Sequence, residues 1–355
     1  MEKEKKEYFS VNSGISKGRR QILQKEEQKN VKRDNRKIAL IGTGMVGMSY
    51  AYAMLNQNTC DELVLIDINK ARAEGEAMDL NHGLAFSGSN MKIYAGSYQN
   101  CSDADIAVIC AGVAQKPGES RLDLLKRNTT VFQSIIEPVT ASGFNGIFLV
   151  ATNPVDIMTR ITCTLSGFNP RRVLGTGTAL DTARLRYLVG DYLKIDPRNV
   201  HAYVMGEHGD TEFVPWSQAM VATKSVTELC EESGGQFCSD ELEKISEEVR
   251  TAAYKIIEAK NATYYGIGMA LVRITKAILG DEHSVLTVSA MLRGEYGQTG
   301  IFTGIPCIIN KNGIQRVLPL KLNEEELEKL NQSCETLRRC YEELELFTMK
   351  VPNGG

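Results

Sequence analysis

"RKIALIGTGMVGMSYAYAML", residues 36–55, decides the fold. A short apolar strand runs into a glycine turn, and a helical pattern follows. Gly42, Gly44 and Gly47 stand as G-x-G-x-x-G between that strand and that helix, the context in which the motif has meaning. Gly42 permits the tight turn, Gly44 lets a pyrophosphate approach the backbone, and Gly47 lets helix and strand pack closely. The helix N-terminus, with Met45 and Val46 in its first turn, offers unpaired N–H groups to the anion. A second apolar strand, "ELVLID", ends on Asp67, 20 residues after Gly47. A carboxylate there accepts hydrogen bonds from a ribose diol and repels a 2′-phosphate, which favours NAD over NADP. The plain alternative is a structural glycine turn followed by an ordinary surface aspartate.

Working outward, strand-like runs recur at "MKIYAG", "ADIAVICAG" and "GIFLVATNP", with helical stretches between them. Strand alternating with helix predicts an α/β protein with a Rossmann, doubly wound parallel sheet. Ligands of such sheets bind beyond the carboxyl ends of the strands. Two strands end on polar segments, at Ala111-Gly112 and Asn153-Pro154, so both point at the nicotinamide end of a dinucleotide. No G-x-x-x-x-G-K-[ST] occurs, and an ATP-binding P-loop is not supported.

The 355 residues suit one large or two ordinary domains. A content of 43% hydrophobic and 24% charged residues is that of a soluble globular protein. The net charge of −3 argues against a nucleic-acid partner. No apolar run approaches the roughly 18 residues of a membrane span. Nine cysteines, odd in number, scattered and without C-x-x-C, point to a reduced cytoplasmic setting. Residues 1–36 differ, with 11 Lys/Arg against 6 Asp/Glu and few apolar side chains. They lack the apolar core of a secretory signal, and a flexible extension is expected. An arm that orders on a neighbouring subunit is the alternative.

The second half supplies candidate chemistry. His208 sits in "VMGEHGDTEF", a polar, Gly-flanked turn after the apolar run "VHAYVM". An accessible imidazole has an unperturbed pKa near 6.5 and suits proton transfer around neutrality; the alternative is a surface loop histidine. No His or Cys lies at a metal-ligand spacing from it, so no metal is expected. "GTALDTARLRYLVGDYL" is helical in pattern. It places Asp181 and Arg184 on one face and turns Arg186 away. A carboxylate beside a histidine fixes its tautomer, and an arginine grips a carboxylate with two parallel bonds. A helix-surface ion pair is the bland reading.

Taken together, six ordered segments resemble the L-lactate and malate dehydrogenase family, and within it most closely the L-lactate dehydrogenases. They are "LVLIDINKARAEGEAMDLNHG", "AGVAQKPGESRLDL", "VATNPVDI", "GTALDTARLR", "HAYVMGEHGDTE" and "NATYYGIGMALVRITKAIL". The resemblance covers roughly residues 37 to 345. It implies an NAD-binding domain over 37–176 and an α+β substrate domain over 177–355, with a helix near 262–282 packing back on the first. It implies His208 as acid/base with Asp181 as its partner, Arg184 on the substrate carboxylate, and Arg121 on a mobile loop polarising the reacting carbonyl. Asn153 would contact substrate and nicotinamide, with Thr263 and Ile267 lining the pocket. The family habit is a homotetramer. In its bacterial members activated by fructose 1,6-bisphosphate, an arginine and a histidine matching Arg186 and His201 form a phosphate site between subunits.

Gln115 separates lactate from malate. Malate dehydrogenases of the family usually have an arginine here for the second carboxylate of oxaloacetate. A neutral Gln115 favours pyruvate, although the neighbouring Lys116 could supply a cation. Malate or a bulkier 2-hydroxy acid are the alternatives, and an NAD-binding protein kept for a structural role is the remote one. Two departures from family habit are Asn261, where glycine is common, and Val113-Ala114 ahead of Gln115. His82 and His283 are expected to be structural or surface groups. The C-terminal "NEEELEKLNQSCETLRRCYEELEL" predicts a helix capped by Asn323, with Leu327, Leu330, Cys334, Leu337, Tyr341 and Leu344 on one stripe.

Overall fold

The fold was analysed in a computed structural model that describes residues 36–113, 118, 121–232 and 239–344, without the side chains of Arg121, Cys230 and Ser239. Residues 1–35, Ala114, Gln115 and Lys116 lie outside the described residues.

Six strands pair in parallel: β1 (Lys37–Ile41), β2 (Glu62–Ile66), β3 (Lys92–Ala95), β4 (Ile106–Ile109), β5 (Ile147–Val150) and β6 (Val173–Gly175). Their spatial order is β3-β2-β1-β4-β5-β6, the doubly wound arrangement. Helices α1 (Met45–Asn56), α2 (Lys70–Leu84), α3 (Arg121–Ala141) and α4 (Val155–Ser166) connect them. A sheet covered on both faces needs apolar residues on both, which is why KIALI, IAVI and IFLV are continuous runs and fully buried. The strand order reverses between β1 and β4, and a crevice opens beyond their carboxyl ends at such a point.

After β6 come α5 (Ala179–Leu193), β7 (Val200–His201), β8 (Met220–Val221), β9 (Lys224–Ser225), α6 (Val226–Glu232), α7 (Ser239–Lys260) and α8 (Tyr265–Leu279). An antiparallel meander, β10 (Ser284–Arg293), β11 (Thr299–Asn310) and β12 (Gly313–Val317), then leads to α9 (Glu324–Glu343). A pairing of Ser289 on β10 with Gly175 on β6 joins this meander to the parallel strands, making a nine-stranded sheet. A second core, separate from the one around the sheet, packs Leu185, Val189, Val200, Ala202, Val204 and Val249.

α8 lies against α1. The Tyr50 hydroxyl and Thr275 Oγ1 are 2.9 Å apart in the buried seam, and Lys276 Nζ donates to Gln57 Oε1 at 2.7 Å. Thr263 is not inside that helix but two residues ahead of it, after Asn261 with its left-handed backbone (φ 66°). In α9, Asn323 Oδ1 accepts from the Glu326 N–H at 2.9 Å, and Leu330, Cys334, Leu337 and Tyr341 are buried. Leu327, in the first turn, departs from the expected stripe and is 37% exposed. His82 is exposed near the end of α2, and His283 Nδ1 meets Gln315 Oε1 at 2.8 Å on the surface. Among the described residues no helix is long and apolar enough to cross a membrane, and Cys60, Cys101, Cys110, Cys163, Cys307 and Cys334 are free thiols.

Candidate active site

The glycine turn after β1 leaves a cradle of backbone. Gly42 has φ 99°, and a Cβ there would stand 2.5 Å from the Ala111 nitrogen at the end of β4. A Cβ on Gly47 would run into the Gly42 carbonyl oxygen. At Gly44, by contrast, a Cβ would meet nothing within 4 Å, and no side chain caps the N-terminus of α1. The first-turn N–H groups, beside exposed Met45 and half-buried Val46, therefore start a helix whose N-terminus is open at Gly44.

Asp67 closes the same crevice from the end of β2. Its Oδ2 accepts from the Thr43 N–H at 2.8 Å and hydroxyl at 2.9 Å, and its Oδ1 accepts from the Asn69 N–H at 2.9 Å. Burial works against the charge, but these hydrogen bonds win and hold the carboxyl below the usual range. Ile68, beside it, is fully exposed and offers apolar surface for a ring. These residues fit a dinucleotide. Further along the crevice, Thr152 Oγ1 donates to the Ala111 carbonyl at 2.7 Å, and buried Asn128 accepts from the Val113 N–H at 2.9 Å. This pins Gly112 and the start of the following loop to β5 and α3. Asn153 is exposed at the end of β5, ahead of a cis peptide to Pro154.

The second half contributes a chain of charges. α5 presents Asp181, almost wholly buried, with Arg184 one turn on; Arg184 Nη1 donates to Asp181 Oδ1 at 2.7 Å. The other carboxylate oxygen, Oδ2, lies 2.6 Å from Nδ1 of His208. That leaves Nε2 of the ring free to face a ligand. Desolvation of the imidazole would lower its pKa, but the Asp181 charge and hydrogen bond outweigh it and raise His208 well above the ordinary histidine value. Asp181 is correspondingly lowered, burial notwithstanding.

The turn carrying His208 is held from below. The His208 N–H donates to Asp156 Oδ2 at 2.9 Å, and Ser289 Oγ on β10 donates to Asp156 Oδ1 at 2.5 Å. Burial pushes Asp156 up to about 7 against those bonds. Glu212 Oε2 lies 3.8 Å from His208 Nδ1. Donor atoms of Asp181, His208 and Glu212 all fall within 4.8 Å of one another. Nδ1 is already engaged by Asp181, whose other oxygen holds Arg184, so the group is built as an ion-pair chain rather than a metal centre.

The structure thus brings His208, Asp181 and Arg184 into one hydrogen-bonded group, and Gly42, Gly47 and Ala111 into one crevice. Among the described residues neither Asn153 nor Thr263 bonds to the His208 group, and Ile267 packs on the main core. Arg186 leaves α5 on another side, where its Nε donates to the Ala202 carbonyl at 3.2 Å and its guanidinium lies over the Tyr203 ring. His201, the neighbour of Ala202, is exposed. Arg121 begins α3, while Gln115 is outside the described residues. Asp156, Glu212, Asn128, Thr43 and Ile68 are groups the sequence reading missed. Glu212 had a signal, four residues after His208 in one polar turn; the burial of Asp156 had none.

The chain matches two family models in succession: the lactate/malate dehydrogenase NAD binding domain over residues 36–175, and the lactate/malate dehydrogenase alpha/beta C-terminal domain over 178–348. It is 53% identical over 308 residues to L-lactate dehydrogenase 2 of Bacillus anthracis, covering 87% of this chain and 98% of that one. With L-lactate dehydrogenase of Geobacillus kaustophilus the identity is 54% over 306 residues, 86% of this chain and 96% of the other. A crystal structure of a lactate dehydrogenase from a Medee basin deep-sea metagenome library superposes with a TM-score of 0.86 at 51% identity, covering 88% and 99% of the two chains. The chain belongs to the lactate/malate dehydrogenase family and is an NAD-dependent oxidoreductase.

Proposed function

We propose that this protein catalyses the reversible reduction of pyruvate by NADH to L-lactate and NAD+. The observation that carries this reading is the His208–Asp181–Arg184 group, with bonds of 2.6 and 2.7 Å. NAD, when bound in the crevice, supplies or accepts the hydride. His208, held as an imidazolium by Asp181, gives its Nε2 proton to the ketone oxygen and takes it back in the reverse direction. Arg184 spends one nitrogen on Asp181 and offers its remaining donors to the substrate carboxylate. Arg121, the first residue of α3 after the loop that follows β4, steadies the oxygen as negative charge builds, a task that works best once water is excluded. Asn153 and Thr263 orient the substrate, and Ile267 backs the nicotinamide. Residues 37–176 hold the dinucleotide and 177–355 the substrate, with the chemistry between them.

Gln115 selects the substrate. A closed site containing the Asp181, His208 and Arg184 charges would admit a second substrate carboxylate only at several kcal/mol without a new cation. The methyl of pyruvate needs none. Arg186 and His201 we assign to a fructose 1,6-bisphosphate site between subunits of a homotetramer. Basic groups facing each other across a two-fold repel when empty and are bridged by phosphates, which couples the ligand to assembly. The setting is the cytoplasm. Arg121→Gln tests the core of this reading: kcat should fall by orders of magnitude, about 10²-fold or more, with a modest change in substrate binding. An unchanged rate in steady-state assays would show the loop assignment to be wrong.

A further inference from the structure

Glu212 has no task in the mechanism above, yet it is only 7% exposed and stands 3.8 Å from His208 Nδ1, beside the Asp181 carboxylate. Two adjacent buried carboxyls are costly unless cations or protons balance them. Glu212 is also among the residues that line a cavity of about 230 Å³, with Trp216, Glu243 and Arg250 of α7 and Lys329 of α9. The remaining charged groups around it are engaged. Arg184 is on Asp181, Glu207 accepts from the Thr211 hydroxyl, Asp210 accepts from Tyr254, and Asp156 holds the His208 N–H.

We propose that Glu212 is a positioning residue of the reaction, which steadies the His208 imidazolium together with Asp181. The geometry explains why. Asp181 engages Nδ1 of the ring directly at 2.6 Å, and the Glu212 carboxylate, buried at 3.8 Å from the same nitrogen, adds a second negative charge that favours the protonated ring. The same coupling acts on Glu212. Burial, opposed by the nearby His208 and Arg184 charges and reinforced by that of Asp181, pushes its carboxyl up to about 7. The three groups therefore titrate as a set.

The inference rests on the proposed pyruvate chemistry, and Glu212→Gln tests it through pH profiles of kcat/KM in both directions. Pyruvate reduction needs protonated His208 and is lost as pH rises; lactate oxidation needs it neutral and is lost as pH falls. Removing one carboxylate lowers the His208 pKa, so the alkaline limb of the first and the acid limb of the second should both move down by about one pH unit. Glu212→Asp, with its carboxylate drawn back, should give limbs between wild type and Glu212→Gln. Limbs that stay at the wild-type position, even with a lower plateau, make Glu212 merely structural and overturn the inference. Fluorescence of Trp216, the single tryptophan, reports folding beside the cavity. If Glu212→Gln does not fold, a wild-type limb position in Glu212→Asp overturns the inference instead. A wild-type enzyme that fails to reduce pyruvate sinks the underlying reading, whereas an active wild type with unmoved variant limbs sinks only this one.

Discussion

At the scale of single residues, what a closed site admits is set by counter-charge. Arg184 already shares its guanidinium with Asp181 at 2.7 Å, so in the proposed reaction it can serve one substrate carboxylate and has little left for a second. A cation for the second must come from elsewhere, and position 115 is where the resemblance puts it. Gln115→Arg should therefore raise kcat/KM for oxaloacetate and lower it for pyruvate. A buried charge pair contributing about 2 kcal/mol corresponds to a change in the ratio of about thirtyfold. A ratio that does not move would assign the selection to another residue, with Lys116 the first to examine. The same scale shows what sequence spacing can reveal. Three residues along a helix put Asp181 and Arg184 within reach, and their bond is local. The 2.6 Å contact of Asp181 with His208 spans 27 positions, and motif order rather than periodicity pointed to it.

At the scale of elements, Asp156 ties three of them together. It lies in the first turn of α4, where the helix dipole favours a carboxylate, and it accepts from the His208 turn and from β10. Asp156→Ala would leave the His208 N–H and the Ser289 hydroxyl unpaired in the interior. Each such group costs about 1–3 kcal/mol, so the variant should unfold about 2–5 kcal/mol more easily in urea and lose activity as the His208 turn shifts. Stability equal to wild type would mean that the turn is held by other bonds. This tie was not legible in advance, because the Ser289–Asp156 bond joins residues 133 apart. Hydrophobic periodicity senses neighbours within a turn or two, so it found the buried strands and the α9 stripe. It also assigned Leu327 to that stripe, where its side chain is instead 37% exposed. The helix boundary missed at Thr263 lies in the backbone, where Asn261 is left-handed and α8 starts only at Tyr265.

At the scale of the whole molecule, the glycine turn at residues 42–47 foretold a parallel sheet. The continuity of that sheet through Ser289 and Gly175 into the antiparallel meander had no local sign. That continuity matters for function. α4 and β10 hold the His208 turn from the sheet, and α5 supplies Asp181 and Arg184 beside it. On the proposed reading, the described residues are arranged around one proton, one hydride and one substrate carboxylate. The most direct measurement compares kcat/KM for pyruvate and for oxaloacetate with NADH on the wild-type protein, with and without fructose 1,6-bisphosphate. Pyruvate should be preferred in both conditions, and the bisphosphate should lower the pyruvate concentration needed for half-saturation. A preference for oxaloacetate would contradict the account of Gln115 and of the reaction, and a saturation curve unmoved by the bisphosphate would remove the role given to Arg186 and His201.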